Sequence, residues 1–211
     1  MYAMLGTRPD IAYAVGIVSQ HCTNLNGYHW TVVKRIFRNL AGTSGLGLIY
    51  GGGARCEGFC DSDWGDSSDR RSTSGYVFVL NGGAVSWASW KQPTVALSST
   101  EAEYIALTQA VKEVLWLRTI FLEIGTPKHS WEISQISADN QGAIALAKNP
   151  WFHARSKHID IQYHFIRQHT DTDTGTINLD YCPTDDMMAD ILTKGLSRAR
   201  HEKCRAGIGR I

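Results

Sequence analysis

The segment SSTEAEYIALTQAVKEVLWLRTIFLEI, residues 98–124, decides the fold. Leu107, Ala110, Val114, Leu117 and Phe121 recur at helical spacing and fall within about 40° of Glu103 around a helix of 3.6 residues per turn. Glu103 shares that apolar stripe, whereas Glu101 points nearly opposite. The spacing predicts one long helix, stopped by Gly125, with an acid on its core side. A buried carboxylate is costly unless it is paired, protonated or bound to metal. Glu103 therefore either reaches water at the helix end or belongs to a site.

Before this helix the chain reads as strands. One spans about residues 55–61, and a hairpin has arms at 75–80 and 84–88 joined by Asn81-Gly82-Gly83, a strong turn signal. A further short strand, 94–97, follows Pro93. After the helix come an apolar strand at 133–138, helices at 141–148 and 157–168, a strand at 177–181, and a helix at 184–194 capped by Thr184. Strands first, then strands alternating with helices, imply an α/β mixed sheet with helices packed on its faces.

The first 50 residues read differently. Thr7 caps a helix with Pro9 in its first turn and Ile11, Val15 and Val18 on one face. A second helix carries Trp30, Val33, Phe37 and Leu40 until Gly42. The run GTSGLGLIYGGG, residues 42–53, marks a boundary with one short strand inside it. No Gly-Lys-Ser/Thr follows, so it is not a phosphate-binding P-loop.

With 43% hydrophobic and 19% charged residues, the composition is that of a globular protein, which excludes a disordered class. No apolar stretch approaches the roughly 20 residues that span a bilayer, so no membrane partner is expected. The start lacks the basic and apolar blocks of a signal peptide, and five scattered cysteines read as reduced thiols in an intracellular setting. Net charge is +1, but basic residues gather at the margins. Arg8, Lys34, Arg35 and Arg38 lie early, and Lys194, Arg198, Arg200, Lys203, Arg205 and Arg210 lie late. Asp61, Asp63, Asp66 and Asp69 form an acidic centre, a pattern suited to a nuclease and equally to ordinary solvated faces.

Three more acids sit at element ends. Asp61 closes the first strand of the 51–211 region, Asp139 follows the 133–138 strand, and Asp190 lies one turn inside the last helix. Each has a plain structural reading: turn former, helix N-cap and surface carboxylate respectively. Converging, they would supply the hard oxygen ligands that Mg²⁺ prefers.

Motifs along nearly the whole chain resemble copia-type retrotransposon Pol polyproteins. They are Phe59-Cys60-Asp61-Ser62-Asp63-Trp64, Arg70-Arg71-Ser72-Thr73-Ser74-Gly75-Tyr76, the run from Lys91 to Tyr104, Ala138-Asp139-Asn140-Gln141, Lys157-His158-Ile159-Asp160 and Ala189-Asp190-Ile191-Leu192-Thr193-Lys194. The resemblance implies a ribonuclease H-like domain at 51–211, with a mixed five-stranded sheet. Residues 1–50 are similar to the helical tail of the preceding reverse transcriptase region, without that polymerase's catalytic aspartates. By the same matching, Asp61, Glu103, Asp139 and Asp190 are the catalytic positions, holding two Mg²⁺ or Mn²⁺ ions. The expected partners are an RNA–DNA hybrid and the rest of the reverse transcriptase, in the cytoplasm within a virus-like particle or in the nucleus. No small-molecule cofactor is expected. Arg70, Arg71, Lys91, Asn140 and Gln141 are candidate nucleic-acid contacts by position, though surface solvation is the better default for each.

The chain departs from the pattern at three places. The loop from Trp64 to Arg70 is short, Gly195 stands where Pro often follows the Thr-Lys pair, and the segment Tyr181–Asp186 lacks the histidine of cellular ribonucleases H. Two other readings compete: a catalytically silent or domesticated nucleic-acid-binding module, and a zinc protein using His153, His158, His164, His169 and Cys182. The histidine intervals of five and six residues do not place pairs on one helical face, which argues against zinc.

Overall fold

The structure is a computed structural model that describes residues 1–51, 56–65, 69–125, 135–148, 157–170 and 177–209. Strands β1 (Cys56–Asp63), β2 (Thr73–Leu80), β3 (Gly83–Lys91), β4 (Gln135–Ala138) and β5 (Asn178–Tyr181) form one sheet in the order β3-β2-β1-β4-β5. The first three pair antiparallel, and β4 and β5 run parallel to β1. The expected mixed five-stranded sheet is therefore what the chain forms. At the hairpin tip Asn81 (φ 53°) and Gly82 (φ 83°) are both left-handed, the two-residue turn whose twist suits a hairpin.

Alternate residues of a strand face opposite ways, so the sheet separates two cores. Phe78 faces the layer of α4 (Ser99–Glu123), α5 (Gln141–Lys148) and α6 (Lys157–Thr170), packing with Leu107, Val111, Ile136 and Leu179. Val77 and Val79 face the other layer, with Ala12, Leu192, Cys204 and Ile208. That layer holds α1 (Tyr2–Gly6), a 3₁₀ turn at Pro9–Ile11, α2 (Ala12–Ser19), α7 (Asp190–Thr193) and α8 (Arg198–Gly207). The early residues are tied down by polar links. Arg8 makes a two-pronged ion pair with buried Asp10 (2.8 Å for each bond), and the Trp87 indole donates to the Met4 carbonyl (2.7 Å). Helix α3 (Gly27–Gly42) packs on α2, and its Asn26 cap exchanges hydrogen bonds with His29. It buries none of its own residues, and Trp30 and Phe37 of the expected stripe are 55% and 64% exposed.

Several expectations are corrected. Residues 94–97 are not a strand: Pro93 has no N–H to give, and the Leu97 N–H is committed to the Glu101 carboxylate (2.8 Å). Residues 42–51 contain no strand either. They run past the hairpin tip, where Gly51 N–H donates to the Asn81 carbonyl and Ile49 N–H to the Gly209 carbonyl. Thr7 is not an N-cap: it closes α1, its N–H donating to the Ala3 carbonyl, and the 3₁₀ turn starts after Arg8. The helix expected at 184–194 is broken into a 3₁₀ turn at Thr184–Asp186 and the one-turn α7. Between them Met187 is extended and fully buried, and the Arg200 guanidinium from α8 takes the carbonyls of Thr184, Asp185 and Met187. Those acceptors are thus lost to a continuous helix.

Gly75 sits opposite Asp61 in the β1–β2 pairing, where α7 crosses close to the sheet. A Cβ there would lie 2.6 Å from Leu192 Cβ and 3.0 Å from Thr193 Cγ2. Gly75→Ala should therefore destabilise the protein by about 1–3 kcal/mol in a denaturant titration. Gly42→Ala, which meets open space at the end of α3, should be close to neutral.

Candidate metal centre

Parallel pairing in the register Cys60↔Ala138 brings the next residues, Asp61 and Asp139, side by side where β4 finishes; β1 itself runs on to Asp63, so Asp61 lies inside the strand rather than closing it. Glu103 reaches the same point from the first turns of α4. The start of that helix explains which glutamate is used. Ser98 accepts from the Glu101 N–H (3.1 Å) while Glu101 turns back to the Leu97 N–H, so Glu101 serves the cap. Glu103, on the opposite side, is left facing the sheet. Asp61, Glu103 and Asp139 each bring a carboxylate oxygen to within 4.8 Å of the other two.

The surroundings of these acids are built in detail. The Ser62 N–H donates to Glu103 Oε1 (3.0 Å), and Glu103 Oε2 is buried with no hydrogen-bond partner. The Thr184 hydroxyl donates to Asp139 Oδ2 (3.0 Å), and the Thr193 hydroxyl donates to Asp61 Oδ2. Asp190 is buried but lies outside the close group. It is joined to it by Lys194, whose Nζ is 3.0 Å from Asp190 Oδ1 and 3.4 Å from Asp61 Oδ2. Arg200 holds the other oxygen of Asp190 (2.9 Å).

Burial pushes the Asp61 carboxyl up to about 6, with Lys194 and Thr193 opposing and Asp190 and Asp139 adding to the rise. Burial, then the charges of Asp61 and Asp139, holds Glu103 well above the ordinary carboxylate range. For Lys194 burial works against the ammonium, but the Asp61 and Asp190 charges outweigh it and keep the group above its usual value. Crowded acids that burial makes reluctant to ionise, with one buried oxygen lacking a partner, fit a divalent cation taking hard oxygen ligands.

No family model matches the sequence. The chain is 44% identical over 211 residues, 99% of its length, to the retrovirus-related Pol polyprotein from transposon TNT 1-94 of Nicotiana tabacum. It is 39% identical over 206 residues, 96% of its length, to that from transposon RE2 of Arabidopsis thaliana. The chain belongs to the copia-type retrotransposon Pol polyproteins. It spans 16% of the first relative and 14% of the second. Among solved structures it is similar to ribonuclease H1 from Halobacterium salinarum NRC-1, with a TM-score of 0.45 and 16% identity over 66% of this chain and 94% of that one.

In this Pol chain the remaining candidates are more scattered. Arg70 and Arg71 are exposed just before β2, and Arg70 is left-handed (φ 60°). Lys91 pairs with Asp69 (2.8 Å) and donates to Gln20. The Asn140 side chain caps α5 by accepting from the Ala143 N–H (2.9 Å), and Gln141 is exposed at the start of that helix. Among the described residues no histidine or cysteine joins a group able to hold a metal. His153 and the side chain of His158 lie outside the described residues. Sequence reasoning missed Lys194, Thr193, Arg200 and Thr184. Only Lys194 left a readable signal, standing four residues after Asp190, where a helical turn brings side chains together.

Because Asp61 and Glu103 are raised in the folded protein, that state holds their protons more tightly than the unfolded chain does. The stability this contributes is complete below the ordinary carboxylate range and is lost as pH rises through about 6 for Asp61 and through the raised range of Glu103. Without metal, thermal unfolding should therefore occur at a lower temperature near pH 8 than near pH 5. Glu103→Gln should reduce that difference, and a variant keeping the parent's full pH dependence would remove the electrostatic account.

Proposed function

We propose that this Pol chain is an RNA–DNA hybrid ribonuclease that cuts the RNA strand with divalent metal ions held by Asp61, Glu103, Asp139 and Asp190. The observation that carries the reading is the convergence of Asp61, Glu103 and Asp139 within 4.8 Å, with Glu103 Oε2 buried and unpartnered. In this reading residues 51–211 are the ribonuclease H-like domain, and residues 1–50 are the tail of a reverse transcriptase region whose remainder is a partner. The site of action is inside the cell, in a virus-like particle or the nucleus. Among the described residues no helix is long and apolar enough to cross a membrane.

Asp61, Glu103, Asp139 and Asp190 would hold two Mg²⁺ or Mn²⁺ ions, which would supply an activated water and stabilisation of charge on the leaving 3′ oxygen. The chain's own groups prepare that chemistry. Ser62 N–H fixes Oε1 of Glu103 and leaves the buried Oε2 without a hydrogen-bond partner, and Thr184 orients Asp139. Asp61 must be ionised to serve as a ligand, which its pKa of about 6 permits at neutral pH. Hydrolysis would leave a 5′-phosphate and a 3′-hydroxyl. Selectivity for RNA would come from contacts to 2′-hydroxyls in the wide minor groove of the hybrid. Arg70, Arg71, Lys91, Asn140 and Gln141 are the proposed backbone and groove contacts, and the first two are exposed as that role requires.

The purified chain, incubated with labelled RNA–DNA hybrid and Mg²⁺, should cleave the RNA strand. Asp139→Asn, which keeps an acceptor for Thr184, should lower the rate by about two orders of magnitude, close to 3 kcal/mol in the barrier. Equal cleavage by both proteins would defeat the assignment, and no cleavage by the parent would favour a silent nucleic-acid-binding module.

A further inference from the structure

The acidic cluster is electrically divided. On one side Asp61, Glu103 and Asp139 lie together, and among the described residues no ion pair reaches Glu103 or Asp139. On the other side Lys194 Nζ stands between Asp61 Oδ2 and Asp190 Oδ1, at 3.4 and 3.0 Å. The carboxylates it joins are only 2% and 5% exposed, so water screens little of that attraction. Thr193 donates to the same oxygen of Asp61, and Arg200 fixes the far oxygen of Asp190. The positive charge between Asp61 and Asp190 is thus already supplied by the protein.

We propose that Lys194 is a built-in counter-cation that makes the two ion positions unequal. The first divalent ion binds at Asp61, Glu103 and Asp139, and a second binds between Asp61 and Asp190 only in exchange for the Lys194 ammonium. This rests on the metal-dependent reading above. An ammonium and a divalent ion cannot share Asp61 Oδ2 without strong like-charge repulsion. Lys194 also has somewhere to go. Its side chain is 31% exposed, and it borders a cavity of about 280 Å³ lined also by Asp10, Tyr13, Ile191, Gly195 and His201. Gly195, the next residue, has nothing within 4 Å of a Cβ built on it, so the space beside Lys194 is open on that side.

The test is a Mn²⁺ titration of the whole chain by calorimetry, comparing wild type with Lys194→Met, which keeps the apolar stem and removes the charge, and Lys194→Arg, which keeps a charge. Wild type and Lys194→Arg should take one ion tightly and a second at least tenfold more weakly. In Lys194→Met the second step should tighten at least tenfold, with the first changing less than threefold. Two equal steps in wild type, or an unchanged second step in Lys194→Met, would overturn the inference and leave the metal-dependent reading standing. No Mn²⁺ binding by any of the three would overturn both. A second measurement needs no variant. The rate at which acetic anhydride modifies Lys194, followed by mass spectrometry in wild-type protein, should rise several-fold as Mg²⁺ fills the second position, and a constant rate would overturn the exchange.

Discussion

Mutual repulsion among buried carboxylates is the constraint around which this molecule is organised. The pairing of β1 with β4 brings Asp61 against Asp139, and α4 adds Glu103 from the opposite face of the sheet. Three acids so close, two of them buried, would drive the elements apart unless protons or cations intervened. Burial first, and the neighbouring carboxylate charges after it, raise Asp61 and Glu103, and the polar groups around the cluster limit the strain. Ser62, Thr184 and Thr193 each direct a donor at one of the three.

The second layer of helices answers the same demand with charge. α7 is only one turn long, yet its residues carry Asp190, Thr193 and, immediately after, Lys194 into the gap beside Asp61. Arg200 from α8 then serves two purposes. It neutralises Asp190, and it takes the carbonyls that would otherwise extend the 3₁₀ turn into α7. Gly75 allows this close crossing, since a side chain on β2 at that point would meet Leu192 and Thr193. Backbone geometry at one strand residue and electrostatics at the cluster are therefore coupled.

How much of this the sequence disclosed follows from the range of each interaction. Glu103 was legible because an acid on an apolar helical stripe contradicts its surroundings within a few turns of chain. The hairpin was legible because Asn81-Gly82 states its own turn. Asp61 and Asp139 were placed at strand ends by pattern, but their convergence depends on a parallel pairing that periodicity does not report. The break at Met187 was hidden, because Thr184 to Asp186 reads as an ordinary helix start and the group that stops the helix is Arg200. The stripe on α3 shows the converse limit: 3–4 spacing predicts the helix correctly and says nothing about what covers Trp30 and Phe37.

The anchoring of the cluster by α8 also sets an order of events during synthesis. Asp61, Glu103 and Asp139 all leave the ribosome before Lys194 and Arg200, and Ile208 closes onto the Ala84 N–H later still. The acids of the cluster and the cations that balance them thus come from distant parts of the chain, so the electrostatic balance is internal only once Lys194 and Arg200 have packed beside Asp61 and Asp190.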